Sequence, residues 1–218
     1  FRVPAGSGTD AMANYASLRG PVGMNRVFVR AGAKLDYRPW LAALKAGRTF
    51  VSNGPVLSFS LDGHEAGDEI RLADGASELT ARVSMRSIAP VERVEIVSNG
   101  QVVATIPVAV GGTRADATLK LPVKKSGWYT LRAWSENAVE PVLDIYPFAT
   151  TSPVYVTVGG RPVRDAAAAR YFVAWIDRVE AAATAHAGWN DDREKAEVLG
   201  RLAAARAVYR RLADEAGP

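Results

Sequence analysis

An acidic residue closing a run of small ones is the first place in this chain where chemistry could be done: Gly6-Ser7-Gly8-Thr9-Asp10. Small residues let the backbone come close to a bound group, and a carboxylate directly after them suits presentation to a metal ion. Spacing alone fits equally a flexible loop with an exposed Asp10, and that is the plainer reading. A metal centre needs several donors, and few are on offer. The chain has two His and no Cys, which removes thiolate ligands and disulfides. His64 lies in the turn signal Asp62-Gly63-His64-Glu65, and His186 lies between Ala185 and Ala187 near a helix end. They share no local motif and read as a turn residue and a packing or dipole-compensating residue. No H-x-H or HExxH spacing and no carboxylate-rich loop occurs. Ser7 lacks the G-x-S-x-G setting of a hydrolase nucleophile, and no Gly-Lys-Ser/Thr follows to make a phosphate loop. Trp128, Tyr129 and Trp134 share one strand and offer stacking surfaces for a sugar, against the competing reading that they pack in and beside the core.

The elements that must position these residues fall into three stretches. In residues 1–54, Val27-Phe28-Val29 reads as a short strand. Asp36 is placed to cap a helix running to about Ala46, with Trp40, Leu41 and Leu44 as its apolar face and Gly47 to end it. Thr49 to Ser52 is a second strand, closed by Asn53-Gly54-Pro55. Residues 55–158 alternate with period two: Leu57, Phe59 and Leu61; Leu79, Ala81, Val83 and Met85; Tyr129, Leu131 and Ala133; Val154, Val156 and Val158. Asn99-Gly100 between two such runs predicts a hairpin turn with φ > 0 at both residues. About seven short strands with turn residues between them predict an antiparallel, Ig-like β-sandwich. Residues 159–218 switch to helical spacing. Phe172, Ile176, Val179 and Ala183 form one stripe; Val198, Leu202, Ala205, Tyr209 and Leu212 form another, with a cap signal at Asp191 and Glu194. Joined by Gly188-Trp189-Asn190, they predict an antiparallel helical hairpin packed on the sandwich or on a neighbouring barrel. Its apolar stripes would also suit self-association into a homo-oligomer.

Composition bounds the function classes. The 218 residues are 48 % hydrophobic and 23 % charged, and no apolar run approaches the length that crosses a bilayer. The net charge is +4. Basic and acidic residues interleave, as in Arg193, Glu194, Lys195 and Glu197, without an aromatic-studded basic stripe, so nucleic acid is not an expected partner. The start at Phe1-Arg2 is expected to lie inside a longer reading frame or to follow processing. Absence of Cys leaves the compartment of this soluble chain open, periplasmic or secreted included.

Several stretches taken in order resemble one family. They are Phe1-Arg2-Val3-Pro4 with Gly6 to Asp10, Pro21 to Val29, Trp40 with Leu44 to Pro55, Phe148-Ala149-Thr150-Thr151-Ser152-Pro153-Val154-Tyr155-Val156, and Tyr171 to Asp177. The order resembles the C-terminal portion of CehA/McbA-type metallohydrolases, relatives of the PHP phosphoesterase superfamily. The most specific block is Gly47-Arg48-Thr49-Phe50-Val51-Ser52-Asn53-Gly54-Pro55.

The resemblance implies a parent protein with an N-terminal α/β barrel holding divalent metals (zinc, manganese or iron) that hydrolyses a small-molecule ester or phosphoester. Residues 1–54 would be the terminal βα remnant of that barrel, 55–158 a sandwich domain and 159–218 the hairpin. Asp10 would be a metal ligand, Arg48 and Asn53 would line the substrate site, and the barrel would be this chain's principal partner. The chain alone would be an inactive accessory region that holds no metal itself. Where the family often carries His, this chain has Met12 and Thr150. Those departures motivate the alternative of a non-catalytic β-sandwich module binding carbohydrate or a protein partner, with Trp128 and Trp134 at its surface.

Overall fold

A computed structural model describes residues 2–12, 20–142 and 145–216. The chain forms two compact units, residues 1–161 and 162–218. In the first, the described elements are β1 (Arg26–Val29), α1 (Tyr37–Lys45), β2 (Thr49–Ser52), β3 (Val56–Leu61), β4 (His64–Glu65), β5 (Glu69–Leu72), β6 (Ser77–Arg86), β7 (Arg93–Ser98), β8 (Gln101–Ile106), β9 (Arg114–Val123), β10 (Gly127–Trp134), β11 (Phe148–Thr151) and β12 (Val154–Val158). The second holds α2 (Ala166–Ala185) and α3 (Asp192–Ala216).

The strands make a β-sandwich. One sheet runs β4-β3-β6-β9, and an eight-stranded sheet is organised around β10. Strand β7 pairs with one edge of β10 and carries β8. The other edge of β10 pairs with β11 at its C-terminal end and β12 at its N-terminal end. Beyond that the sheet forks: β11 continues to β2 and β1, while β12 continues to β5, its parallel neighbour. Period-two patterning decides the core. Leu57, Phe59, Leu61, Leu79, Ala81, Val83 and Met85 face Val94, Ile96, Leu131, Ala133, Val154, Val156 and Val158, all buried. Each large side chain of this set contributes about 1.5–3 kcal/mol by leaving water.

The sequence suggests a boundary after residue 54. In the structure β2, before that point, hydrogen-bonds to β11, beyond it, through Ala149↔Ser52, Thr150↔Val51 and Thr151↔Phe50. Residues 26–52 are thus strands and a helix of the sandwich unit. Asp36 caps α1 as predicted, accepting from Arg38 N at 2.9 Å. The buried residue of that helix is Ala43, while Leu41 stays 39 % exposed. Gly47 follows α1 with φ +74, the left-handed step that ends a helix. At the β7–β8 turn, Asn99 and Gly100 have φ 47 and 81, as the hairpin signal requires.

In the second unit, Asp165 and Asp191 cap α2 and α3 through Ala168 N and Glu194 N. Glu194 reaches back to Asn190 N rather than to Asp191, displacing the capping box by one residue. The two helices run antiparallel. Phe172 stacks on Tyr209 with centroids 4.9 Å apart, and Arg206 pairs with both Asp177 and Glu180. Ile176 is buried, whereas Tyr171, Trp175 and Val179 remain exposed. No helix among the described residues is long and apolar enough to cross a membrane.

Candidate functional site

The fork in the large sheet organises the site. Pro153 has no N–H to give to a ladder, so the strand pairing with β10 breaks at Ser152-Pro153. The gap between β2 and β5 is filled by the N-terminal segment. Ala5 N donates to Ser152 Oγ at 2.9 Å, and Thr49 Oγ1 donates to Ala5 O at 3.0 Å. Thr49 Oγ1 and Ser152 Oγ are 2.7 Å apart. The Thr49 proton is already committed to Ala5 O, so the Ser152 hydroxyl must be the donor in that third contact. The three groups close a ring in which each donates once and accepts once. Thr49 and Ser152 are buried at its centre.

Two further anchors hold the segment. Thr9 Oγ1 accepts from Asn25 N at 2.9 Å. Arg2 lies over the Tyr155 ring at 4.3 Å and donates to Glu69 Oε1 at 2.9 Å. Glu69 also accepts from Thr157 Oγ1 at 2.6 Å. The Thr157 hydroxyl first, and Arg2 after it, pull the Glu69 carboxyl from its ordinary 4.5 down to about 2. A carboxyl lowered on folding stabilises the native state above its unfolded pKa and loses that contribution as pH falls toward the folded value. Wild-type stability therefore falls between about pH 4.5 and 2, and Glu69→Gln flattens part of that fall in urea titrations run across the window. An unchanged acid limb in Glu69→Gln would remove this carboxylate from the account.

The predicted site residues are placed as follows. Asp10 is exposed, with φ 54, at the end of the segment pinned by the ring and by Thr9. It does not line the two clefts described below. Asn53 has its carboxamide engaged with backbone: Nδ2 donates to Tyr146 O at 2.9 Å and Oδ1 accepts from Phe148 N at 2.7 Å. Arg48 is exposed and lines both clefts. Among the described residues no three His, Asp or Glu side chains converge to hold a metal ion.

The clefts open at the end of the sandwich where β1–β2 and β3–β4 diverge. One, of about 460 Å³, is floored by Phe28, Phe50, Leu57 and Phe59. The other, of about 690 Å³, runs over Ala42 and Ala43 of α1 and Ala46 just beyond it to Asp68. They share Arg30, Arg48, Glu65 and Ala66 and form one groove. Phe28 and Phe50 stack at 4.4 Å with ring planes 3° apart, both half-buried at the groove. Arg30 and Glu65 neutralise each other as an ion pair at its middle. The resemblance nominated Arg48, but sequence reasoning missed the groove, whose walls come from five separated stretches. The stacked phenyl rings at matching positions of β1 and β2 are a signal only once Phe28↔Phe50 pairing is known.

On the opposite face of the large sheet, Trp128 and Trp134 are half-buried and Tyr129 is in the core. Trp134 is not an open platform. Arg93 lies 4.8 Å and Arg132 5.5 Å from its ring centroid, and its Nε1 donates to Glu95 Oε2 at 3.0 Å. Burial opposes ionisation of Glu95, but hydrogen bonds from Trp134 and Arg132 outweigh it and hold the carboxyl below its usual range. No protein-family model matches this chain, and no curated protein and no solved structure is significantly similar to it.

Proposed function

We propose that this chain is the C-terminal, accessory portion of a metal-dependent ester or phosphoester hydrolase, a structural region rather than a complete active centre. The observation that carries the reading is the convergence of three of the motif blocks. Pro4-Ala5, Gly47-Arg48-Thr49 and Thr151-Ser152-Pro153 meet at the hydrogen-bonded ring, and the ring suspends the segment that ends in Asp10. A metal site in the parent would draw its other donors from an N-terminal barrel, because one carboxylate cannot hold a catalytic metal. Zinc, manganese or iron would there supply a Lewis acid and a water of lowered pKa. The residues of this chain would hold Asp10 in place.

The test compares two proteins. The 218-residue chain should bind no zinc or manganese in calorimetry. The same chain joined to its upstream reading frame should co-purify with metal and lose metal-dependent hydrolysis on Asp10→Ala. A metal-free longer protein, or an Asp10→Ala variant hydrolysing at the wild-type rate, sinks the proposal. The binding-module alternative has less support, because the Trp134 ring is flanked by two guanidinium groups.

A further inference from the structure

Of the polar side chains in the block Gly47–Pro55, three are consumed by the fold. Thr49 closes the ring, Ser52 Oγ accepts from Gly54 N at 2.8 Å, and Asn53 bridges Tyr146 and Phe148. Arg48 is the fourth. Its backbone is fixed on both sides, with N donating to Ala43 O and O accepting from Arg30 N. Its guanidinium is exposed and meets no carboxylate among the described residues. The backbone is held firmly while the charged end stands over a groove.

That groove has two chemically distinct ends. The inner end is apolar, with the stacked Phe28 and Phe50 leaving ring surface uncovered beside Leu57 and Phe59. The middle carries Arg48 next to the Arg30–Glu65 pair. Arg26, its guanidinium 5.7 Å from the outer ring of the stack, adds a second cation near the rim. Glu65 is spent on Arg30, and Asp68, at the far end, accepts from Glu65 N at 3.0 Å. Small-ligand sites are typically clefts of roughly 300–1,000 Å³ with an apolar lining and a few placed polar groups. A guanidinium recognises a carboxylate through two parallel N–H donors.

We propose that this groove binds an amphipathic carboxylate, an aryl or short acyl acid, with its apolar part on Phe28 and Phe50 and its carboxylate on Arg48. The site belongs to the sandwich itself and does not rest on the hydrolase reading. Its test uses this chain without metal, so the two can fail separately.

The probe is 4-phenylbutyrate, with the neutral 4-phenylbutyramide as its partner, titrated into the nitrogen-15-labelled chain. The acid should give saturable shifts at the amides of Val29, Arg48, Phe50 and Ser58. The amide should bind about tenfold more weakly, the loss expected for one charge-assisted contact. Arg48→Gln should weaken the acid to the level of the amide, and Arg48→Lys should fall between. Arg71→Gln, on an exposed arginine outside the groove, should leave the titration unchanged. Phe28→Ala should weaken acid and amide alike. Should that variant not fold, the acid–amide comparison on the unmodified chain still decides the matter. Equal binding of acid and amide, shifts confined to other surfaces, or no saturable shift at millimolar acid would overturn the assignment.

Discussion

Thr49→Val lowers the stability of the sandwich unit by about 2–3 kcal/mol in urea unfolding and speeds exchange of the Ala5 amide, whose acceptor Ser152 Oγ loses its own anchor. Valine matches threonine in shape, so packing is kept and the change is one of hydrogen bonds. The ring Ala5 N–H to Ser152, Ser152 O–H to Thr49, Thr49 O–H to Ala5 O loses a donor and an acceptor at once. Ala5 O then loses its donor, and the Ser152 hydroxyl, still accepting from Ala5 N, loses the acceptor for its proton; each such unmet group costs about 1–3 kcal/mol. Relaxation toward water through the half-buried Ala5 keeps the total at the lower end of the sum. Ser152→Ala should move stability the same way. The double variant should cost clearly less than the two single losses added, because both break one ring. Thr49→Ser, which keeps the hydroxyl, should recover most of the loss. A Thr49→Val chain within about 0.5 kcal/mol of wild type, with Ala5 still protected, would show that the ring holds nothing.

The ring also shows what the sequence could and could not reveal. Signals acting within a few residues were legible. The Asp36 and Asp191 caps, the Asn99-Gly100 turn, and the alternation of Leu57, Phe59 and Leu61 all appear where the pattern put them. The same physics explains the failures. Ala5, Thr49 and Ser152 are separated by 44, 103 and 147 positions, and no local pattern encodes a hydroxyl meeting a backbone amide at that range. A break at Asn53-Gly54-Pro55 reads as an edge because turn residues end local order. The pairing of β2 with β11 that crosses it is invisible until Phe148–Thr151 is brought alongside. Of the apolar face assigned to α1, Trp40 and Leu44 are half-buried and Leu41 is exposed. Helical spacing identifies residues able to be buried, while packing against distant elements decides that Ala43 is the most covered.

The candidate site divides along the same line. Only the resemblance makes Asn53 a substrate-lining residue. In the fold its carboxamide does the work of a missing rung between Tyr146 and Phe148. The Gly47–Pro55 block is consumed residue by residue. Gly47 makes the left-handed step, Val51 and Pro55 are buried, and Thr49, Ser52 and Asn53 bond inward. Likeness across such a block constrains how the chain folds more than what it does. Arg48 departs from that pattern, with its charge left over after the fold is satisfied, and it stands on the groove.

Gly67→Ala is expected to destabilise the same junction by about 3 kcal/mol or more, through backbone collision added to strain. Gly67 has φ +89, and its N–H donates to Pro153 O at 2.8 Å, bracing the strand break from the β5 side. A Cβ there would sit 2.3 Å from Ala46 O and 3.0 Å from Gly47 C. Those are backbone atoms between α1 and β2, fixed by the helix end and by Thr49 in the ring, so they cannot yield as a side-chain tip would. Gly63 is the internal control. Its φ is +83, nearly the same, but a Cβ added to it meets nothing within 4 Å. Gly63→Ala therefore reports the left-handed strain alone, about 1–2 kcal/mol. The difference between the two variants, read as urea midpoints at equal m-value, measures the collision. Because Ala46 and Arg48 lie beside the clash, Gly67→Ala should also weaken acid binding in the groove, while Gly63→Ala should not. Equal midpoints for the two alanine variants would mean that the junction yields freely, and the close approach of residues 46–47 to Gly67 would lose its place as a determinant of the groove.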